Sequence, residues 1–260
     1  MNKTELRQIE NWFFTYVAMF RVNDELPPIS QIKHEHSLRV AREMKMLAEE
    51  MQWPDEEVRT AYALGILHDV GRFSQFAEFG TIVDHQSVDH AKRGVEVLEQ
   101  EKILMMISEK DRGIIHRGVC AHNIKCVPSD VSPDHDKFVK LVRDADKLDG
   151  FWIIYDALAV GKNSIYATLF KNRSLTDKAS PALVESIKQG KMISYADTHC
   201  LADYLLLQMG WVFDLNYAAS MRCVRERRVI ELFPTYLPAD KGILEASRAV
   251  LAYRDKFLAV

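Results

Sequence analysis

The chain has 260 residues, 48% hydrophobic and 27% charged, with a formal net charge of −3. That length allows a well-buried core in one large domain, or in one domain with an extension. The slightly acidic balance argues against a dedicated nucleic-acid surface, which would show a basic stripe. The four cysteines (Cys120, Cys126, Cys200 and Cys223) are too few for a disulfide scaffold and form no C-x-x-C pair. They read as reduced thiols of a cytoplasmic protein.

The predicted elements are helical throughout. Leu6, Ile9, Phe13, Val17 and Phe20 repeat at helical spacing, so the first segment is an amphipathic helix packed on the domain. Its apolar run "WFFTYVAMF" is followed by Arg21 and Asp24 and does not read as a signal peptide. At nine residues it is also well short of the ~20 that span a bilayer. After Pro27-Pro28, Ser30 offers an N-cap for a helix through about Met51. Pro54 and Asp55 open another helix, predicted to end at a turn on Gly71. Residues 73–86 lack periodicity and read as a loop.

Ser87 is a candidate cap for a helix over 88–101, and Ser108 with Asp111 resembles a capping box for one ending near Asn123. "NIKCVPSDVSPDHD" is a connection with two prolines, a long helix runs from about Asp136 to Val160, and "GKNSIYATLFKNRSL" is a turn-rich surface segment. Residues 180–260 read as three or four further helices. No strand run, internal repeat or low-complexity tract is visible in the sequence, so the expected fold is all-α.

Several polar residues fall on apolar helix faces. His36 shares a stripe with Ile32, Val40, Met44 and Leu47, whereas His34 lies about 200° round the helix and is expected to face solvent. A lone histidine on such a face is more often a satisfied core residue than a ligand. Val58, Ala61, Gly65 and His68 form the next stripe, with Asp69 beside it at the helix end. Both groups are costly to bury, and a carboxylate near a helix C-terminus opposes the macrodipole. A divalent cation would offset both costs, although the pair could also cap the helix by bonding each other.

Asp146 lies on one face with Phe138, Val142, Asp149 and Ile153, and Asp144 is turned away from it. "DADKLD" could be a solvated acidic run, but the surrounding helix is apolar. His90 aligns with Gly94, Val97 and Leu98, and His122 aligns with Ile115, Gly118 and Val119. His116 is a weaker candidate, and His85, His135 and His199 read as surface residues.

"HSLRVA" (36–41), "LGILHDVGRF" (64–73) and "DADKLD" (144–149) together resemble the HD superfamily of metal-dependent phosphohydrolases over about residues 30–155. The pattern is a His, an adjacent His-Asp pair 32 residues on, and a distal Asp after 77 more, each on its own helix. The resemblance implies an all-α multi-helix bundle. A C-terminal helical extension over about 161–260 lies beyond the resemblance, since the C-terminal hundred residues match no motif and are only read as helical. The resemblance also implies that His36, His68, Asp69 and Asp146 ligate a principal metal.

His90 in "VDHAKRG" and His122 in "CAHN" are similar to the extra histidines of binuclear members, the HD-GYP phosphodiesterases and the mixed-valent di-iron oxygenases. If both ligate, Asp69 would bridge two ions. "NIKCVP" follows His122 in place of a Gly-Tyr-Pro signature, which argues against cyclic-dinucleotide cleavage. The implied chemistry is hydrolysis of a phosphomonoester, phosphodiester or nucleotide by metal-activated water, with Asp69 orienting or deprotonating that water.

Arg72, Lys92 and Arg93 are candidates to hold the phosphate, and a solvated surface role is the bland alternative for each. The metal could be Mn, Fe, Mg, Co, Ni or Zn, as one or two ions. Two other classes remain open: an oxygen-dependent di-iron enzyme, and a non-catalytic metal or nucleotide sensor. The oligomeric state is not legible.

Overall fold

The computed structural model describes residues 1–124, 133–161, 164, 166, 174–237 and 239–259. Cys126 and parts of both turn-rich connections lie outside these residues. The chain is all-α, with two isolated β-bridges, Val22 with Glu25 and Ser174 with Cys200, and no β-sheet among the described residues. No described helix is long and apolar enough to cross a membrane. The backbone forms two compact units, Met1–Asp146 and Lys147–Val260.

In the first unit, α1 (Lys3–Ala18) buries Ile9, Phe13 and Val17, and Leu6 is only half-buried. Helix α2 (Pro28–Glu50) starts two residues before the expected cap. Pro28 takes the first helical position, where a missing N–H costs nothing, so Ser30 is not needed as an N-cap. Helix α3 (Asp55–Leu67) lies against α2 at very close range. A Cβ on Gly65 would sit 2.5 Å from the Ala41 Cα, so only glycine permits this approach. The approach matters because Gly65 is one turn before His68 and Ala41 is little more than one turn after His36.

Gly71 does not end a helix, as the sequence suggests; it begins α4 (Gly71–Phe79), which occupies much of the predicted 73–86 loop. Phe73 drives this helix into a ring cluster, 6.1 Å from Phe13 and 6.0 Å from Phe20. The periodicity is hidden in the sequence because Gln75, fully buried, shares the inner face with Phe73. A Cβ on Gly71 would lie 2.3 Å from the His90 carbonyl oxygen and 2.5 Å from the Gly94 nitrogen. The glycine is therefore there to let α4 meet α5 (His90–Gln100). Asp89, not Ser87, caps α5 by accepting from the Ala91 and Lys92 amides.

Helix α6 (Glu109–Ala121) has Ser108 as its cap, accepting from the Asp111 amide. The long helix α7 (Pro133–Val160) seats Phe138 against Trp53, with ring centroids 5.1 Å apart.

The second unit holds the rest of α7 and α8 (Pro181–Lys188), α9 (Leu201–Gly210), α10 (Ala218–Arg227), α11 (Val229–Leu232) and α12 (Lys241–Leu258). That exceeds the three or four helices expected, because Arg228, with φ 52°, breaks one helical run into α10 and α11. The buried Asp203 carboxylate accepts from the Ser180 amide (2.7 Å), the Ser180 hydroxyl (3.0 Å) and the His199 amide (3.1 Å).

Candidate metal centre

His68 and Asp69 lie in the three-residue link between α3 and α4. The link is a tight turn in which the Val70 amide donates to Leu67 O (3.1 Å) and the Arg72 amide to Asp69 O (2.9 Å). The turn leaves both side chains at a helix junction rather than a free helix end. Asp69 thereby stands just before the N-terminus of α4, where the helix dipole favours a carboxylate.

Around Asp69 the structure gathers His36 from α2, His90 from the start of α5, His122 just past α6 and Asp146 from α7. All four imidazoles are nearly or fully buried. The two Asp69 oxygens face different groups. Oδ2 is 3.4 Å from His36 Nε2 and 3.8 Å from His68 Nε2, while Oδ1 is 3.4 Å from His90 Nε2 and 3.6 Å from His122 Nε2. Asp146 joins the first group, with Oδ1 3.2 Å from His36 Nε2 and 3.9 Å from His68 Nε2.

The other ring nitrogens identify the tautomers. His68 Nδ1–H donates to Gly65 O at 2.7 Å and His122 Nδ1–H to Val119 O at 2.8 Å. His90 Nδ1–H donates to Asp84 Oδ2 at 2.6 Å. A carbonyl or carboxylate can only accept, so in the neutral rings the Nε2 atoms carry lone pairs. His36 Nε2 is 3.2 Å from His68 Nε2, and the two lone-pair atoms His90 Nε2 and His122 Nε2 are only 2.9 Å apart. Two lone pairs at that distance repel unless a cation lies between them. Two nitrogens each ~2.1 Å from one ion, at roughly a right angle, would be about 3 Å apart. The residues fit a divalent metal on this ground.

The electrostatics agree. Burial pushes the His68 imidazole down to about 4, against the opposing charges of Asp69 and Asp146. Burial likewise lowers His90, against the pull of Asp84. Both rings are thus held neutral, the form that ligates. Burial would raise Asp69, but the Lys33 ammonium, 2.7 Å away, holds it well below the usual carboxylate range. Asp146 is held down in the same way, its burial outweighed by His36 and His68. Its side chain is still 37% exposed, so this carboxylate forms the open side of the cluster.

Other candidates lie elsewhere. Arg72 is turned inward: it donates to Gln75 Oε1 (2.9 Å), Ile82 O (2.5 Å) and Asp84 Oδ1 (2.6 Å), and its Nε is 3.6 Å from Asp69 Oδ1. Arg93 pairs with Glu78 and Glu96, and Lys92 is on the exposed face of α5. His116 is exposed, 3.5 Å from Glu99.

His34 is not solvated as expected, because its ring stacks on Phe13 and meets the edge of Phe14, both at 5.9 Å. Asp144 is fully buried, so it is turned away from Asp146 but not toward water, and "DADKLD" is no solvated run.

Three residues escaped the sequence reading. Lys33 Nζ bonds Asp69 Oδ2 at 2.7 Å, and its signal was its place one turn before His36. Asp84 and Gln75 lack such a signal, since Asp84 opens a single 3-10 turn (Asp84–Gln86) with no periodicity, and Gln75 gains meaning only from its bonds to Asp84 (3.0 Å), Ser87 (2.9 Å) and Val88 O (2.8 Å).

Comparison with curated proteins and with solved structures returned no significant match. The family model of the HD domain matches residues 34–150, a span that includes His36, the His68-Asp69 pair, His90, His122 and Asp146. Proteins with this domain bind divalent metals and are mostly metal-dependent hydrolases. Residues 34–150 of the chain are therefore an HD domain.

Proposed function

We propose that the protein is a metal-dependent phosphohydrolase with a binuclear centre, acting on a small phosphate ester or nucleotide. The observation that carries this reading is the division of Asp69, with one oxygen toward His36, His68 and Asp146 and the other toward His90 and His122. His36, His68, Asp69 Oδ2 and Asp146 would hold one ion, and His90, His122 and Asp69 Oδ1 the other. A divalent ion bound there supplies Lewis acidity toward a phosphoryl oxygen and lowers the pKa of water to near neutrality.

The chain's own residues do the rest. The Gly65 and Val119 carbonyls and the Asp84 carboxylate fix three ring tautomers and aim Nε2 inward. Asp69, set between the two groups, is placed to orient the attacking water or to take its proton. Arg72 braces Asp84 through Nη1, and through Asp84 it braces His90. Asp146, on the open side, marks where substrate approaches.

The test is reconstitution with Mn, Fe, Mg, Co, Ni or Zn, followed by phosphate-release assays on phosphomonoesters, phosphodiesters and nucleotides in anaerobic buffer. Hydrolysis that depends on metal and disappears in Asp69→Ala supports the reading. A fully loaded protein that releases phosphate from none of these overturns it. An iron-loaded protein active only with oxygen would instead favour the di-iron oxygenase.

A further inference from the structure

Lys33 is the buried-side cation that the metal-site reading does not use. It stands one turn before His36 on α2, and its Nζ is 2.7 Å from Asp69 Oδ2, the oxygen that faces His36 and His68. The Lys33 side chain is 18% exposed and the Asp69 side chain 4%. The ammonium is thus the more exposed member of the pair, and it occupies the oxygen that a cation would have to reach. A dication and an ammonium on the same carboxylate oxygen repel each other. The lysine stem is flexible and its donors rotate, so the ammonium can move outward without displacing α2.

The other cations considered for phosphate are committed or distant from this role. Arg72 is held by Ile82 O, Asp84 and Gln75, and Arg93 by Glu78 and Glu96.

Resting on the metal-dependent hydrolase reading, we infer that Lys33 shares Asp69 with the metal: paired with Oδ2 in the metal-free protein, it is displaced on metal uptake and becomes the group that binds the substrate's phosphate. The lysine is thus a gate on metal loading and a determinant of anion recognition. It neutralises the buried carboxylate until metal arrives, and afterwards supplies positive charge to an anion at the site. The same group would then couple the two events, because phosphate that holds the displaced ammonium also favours retention of metal.

The test uses the full chain with Mn²⁺ alone, then with inorganic phosphate, both followed calorimetrically. Lys33→Met should bind Mn²⁺ about 10-fold more tightly than wild type, because no cation competes for Oδ2. Its Mn-loaded form should bind inorganic phosphate about 10-fold more weakly. Lys33→Arg should stay close to wild type in the phosphate titration, and Lys33→Gln should follow Lys33→Met in both if the methionine variant folds poorly.

Unchanged or weaker Mn²⁺ binding by folded Lys33→Met and Lys33→Gln would overturn the gating role. Unchanged phosphate binding would overturn the recognition role. Failure of the wild-type protein itself to take up Mn²⁺ would overturn the metal-centre reading, and this one with it.

Discussion

Removing the Asp69 carboxylate would leave four imidazoles converging with no anion between the two pairs, and would leave the Lys33 ammonium without its partner. Asp69→Ala should therefore abolish uptake of both ions and all hydrolysis, which elemental analysis and phosphate release will show. Retention of even one equivalent at wild-type affinity would mean the carboxylate does not bridge. Asp84 acts one bond further out. Asp84→Asn keeps the shape but replaces the acceptor that holds His90 Nδ1–H, so the His90/His122 ion should bind about 10–100-fold more weakly. The ion on His36, His68 and Asp146 should be little affected, and equal weakening of both would refute the split into two groups.

His68 sets an acid limit on the metal-free protein. Its folded pKa is about 4, below the ordinary 6.5, so between these values the unfolded chain binds a proton that the native ring refuses. Stability is then complete above pH 6.5 and falls as pH drops toward 4, by roughly 3 kcal/mol from this residue. Denaturant titrations of chelator-treated protein across that range, with His68→Asn as reference, will measure it. A flat profile would mean that the ring is not held neutral.

At the level of elements, the meeting of α4 and α5 decides where His90 stands. A Cβ on Gly71 would strike the His90 carbonyl and the Gly94 nitrogen, and these are backbone atoms that no rotamer change can clear. Gly71→Ala should cost about 3 kcal/mol and lose the His90/His122 ion preferentially. A thermal melt with metal stoichiometry on the folded variant checks this, and a variant with both at wild-type levels would show that the helices can part without cost.

The same junction shows what the sequence could and could not disclose. Helical wheels singled out His36, His68, His90, His122 and Asp146 because each interrupts an apolar stripe, and the structure brings these five together with Asp69. The wheel could not find α4, because Gln75 breaks its stripe for the sake of bonds to residues 84–88. It misjudged His34 because solvent exposure was inferred from α2 alone, whereas Phe13 and Phe14 of α1 cover that side. Contacts supplied by a distant element leave no mark in local spacing.

At the scale of the molecule, every residue of the proposed centre belongs to the unit Met1–Asp146, and the HD match at 34–150 nearly coincides with its later part. The unit Lys147–Val260 carries its own buried polar anchor in Asp203, whose carboxylate satisfies three donors from Ser180 and His199. Asp203→Ala would leave those donors without their acceptor, at a cost of about 1–3 kcal/mol. If the metal set is complete within the first unit, this variant should melt earlier yet still take up two ions per chain with wild-type affinity. Calorimetric melting beside a metal titration separates the two effects. A folded Asp203→Ala protein with reduced metal affinity would mean that residues 147–260 supply something the ligand set depends on, and the centre could no longer be described from its six side chains alone.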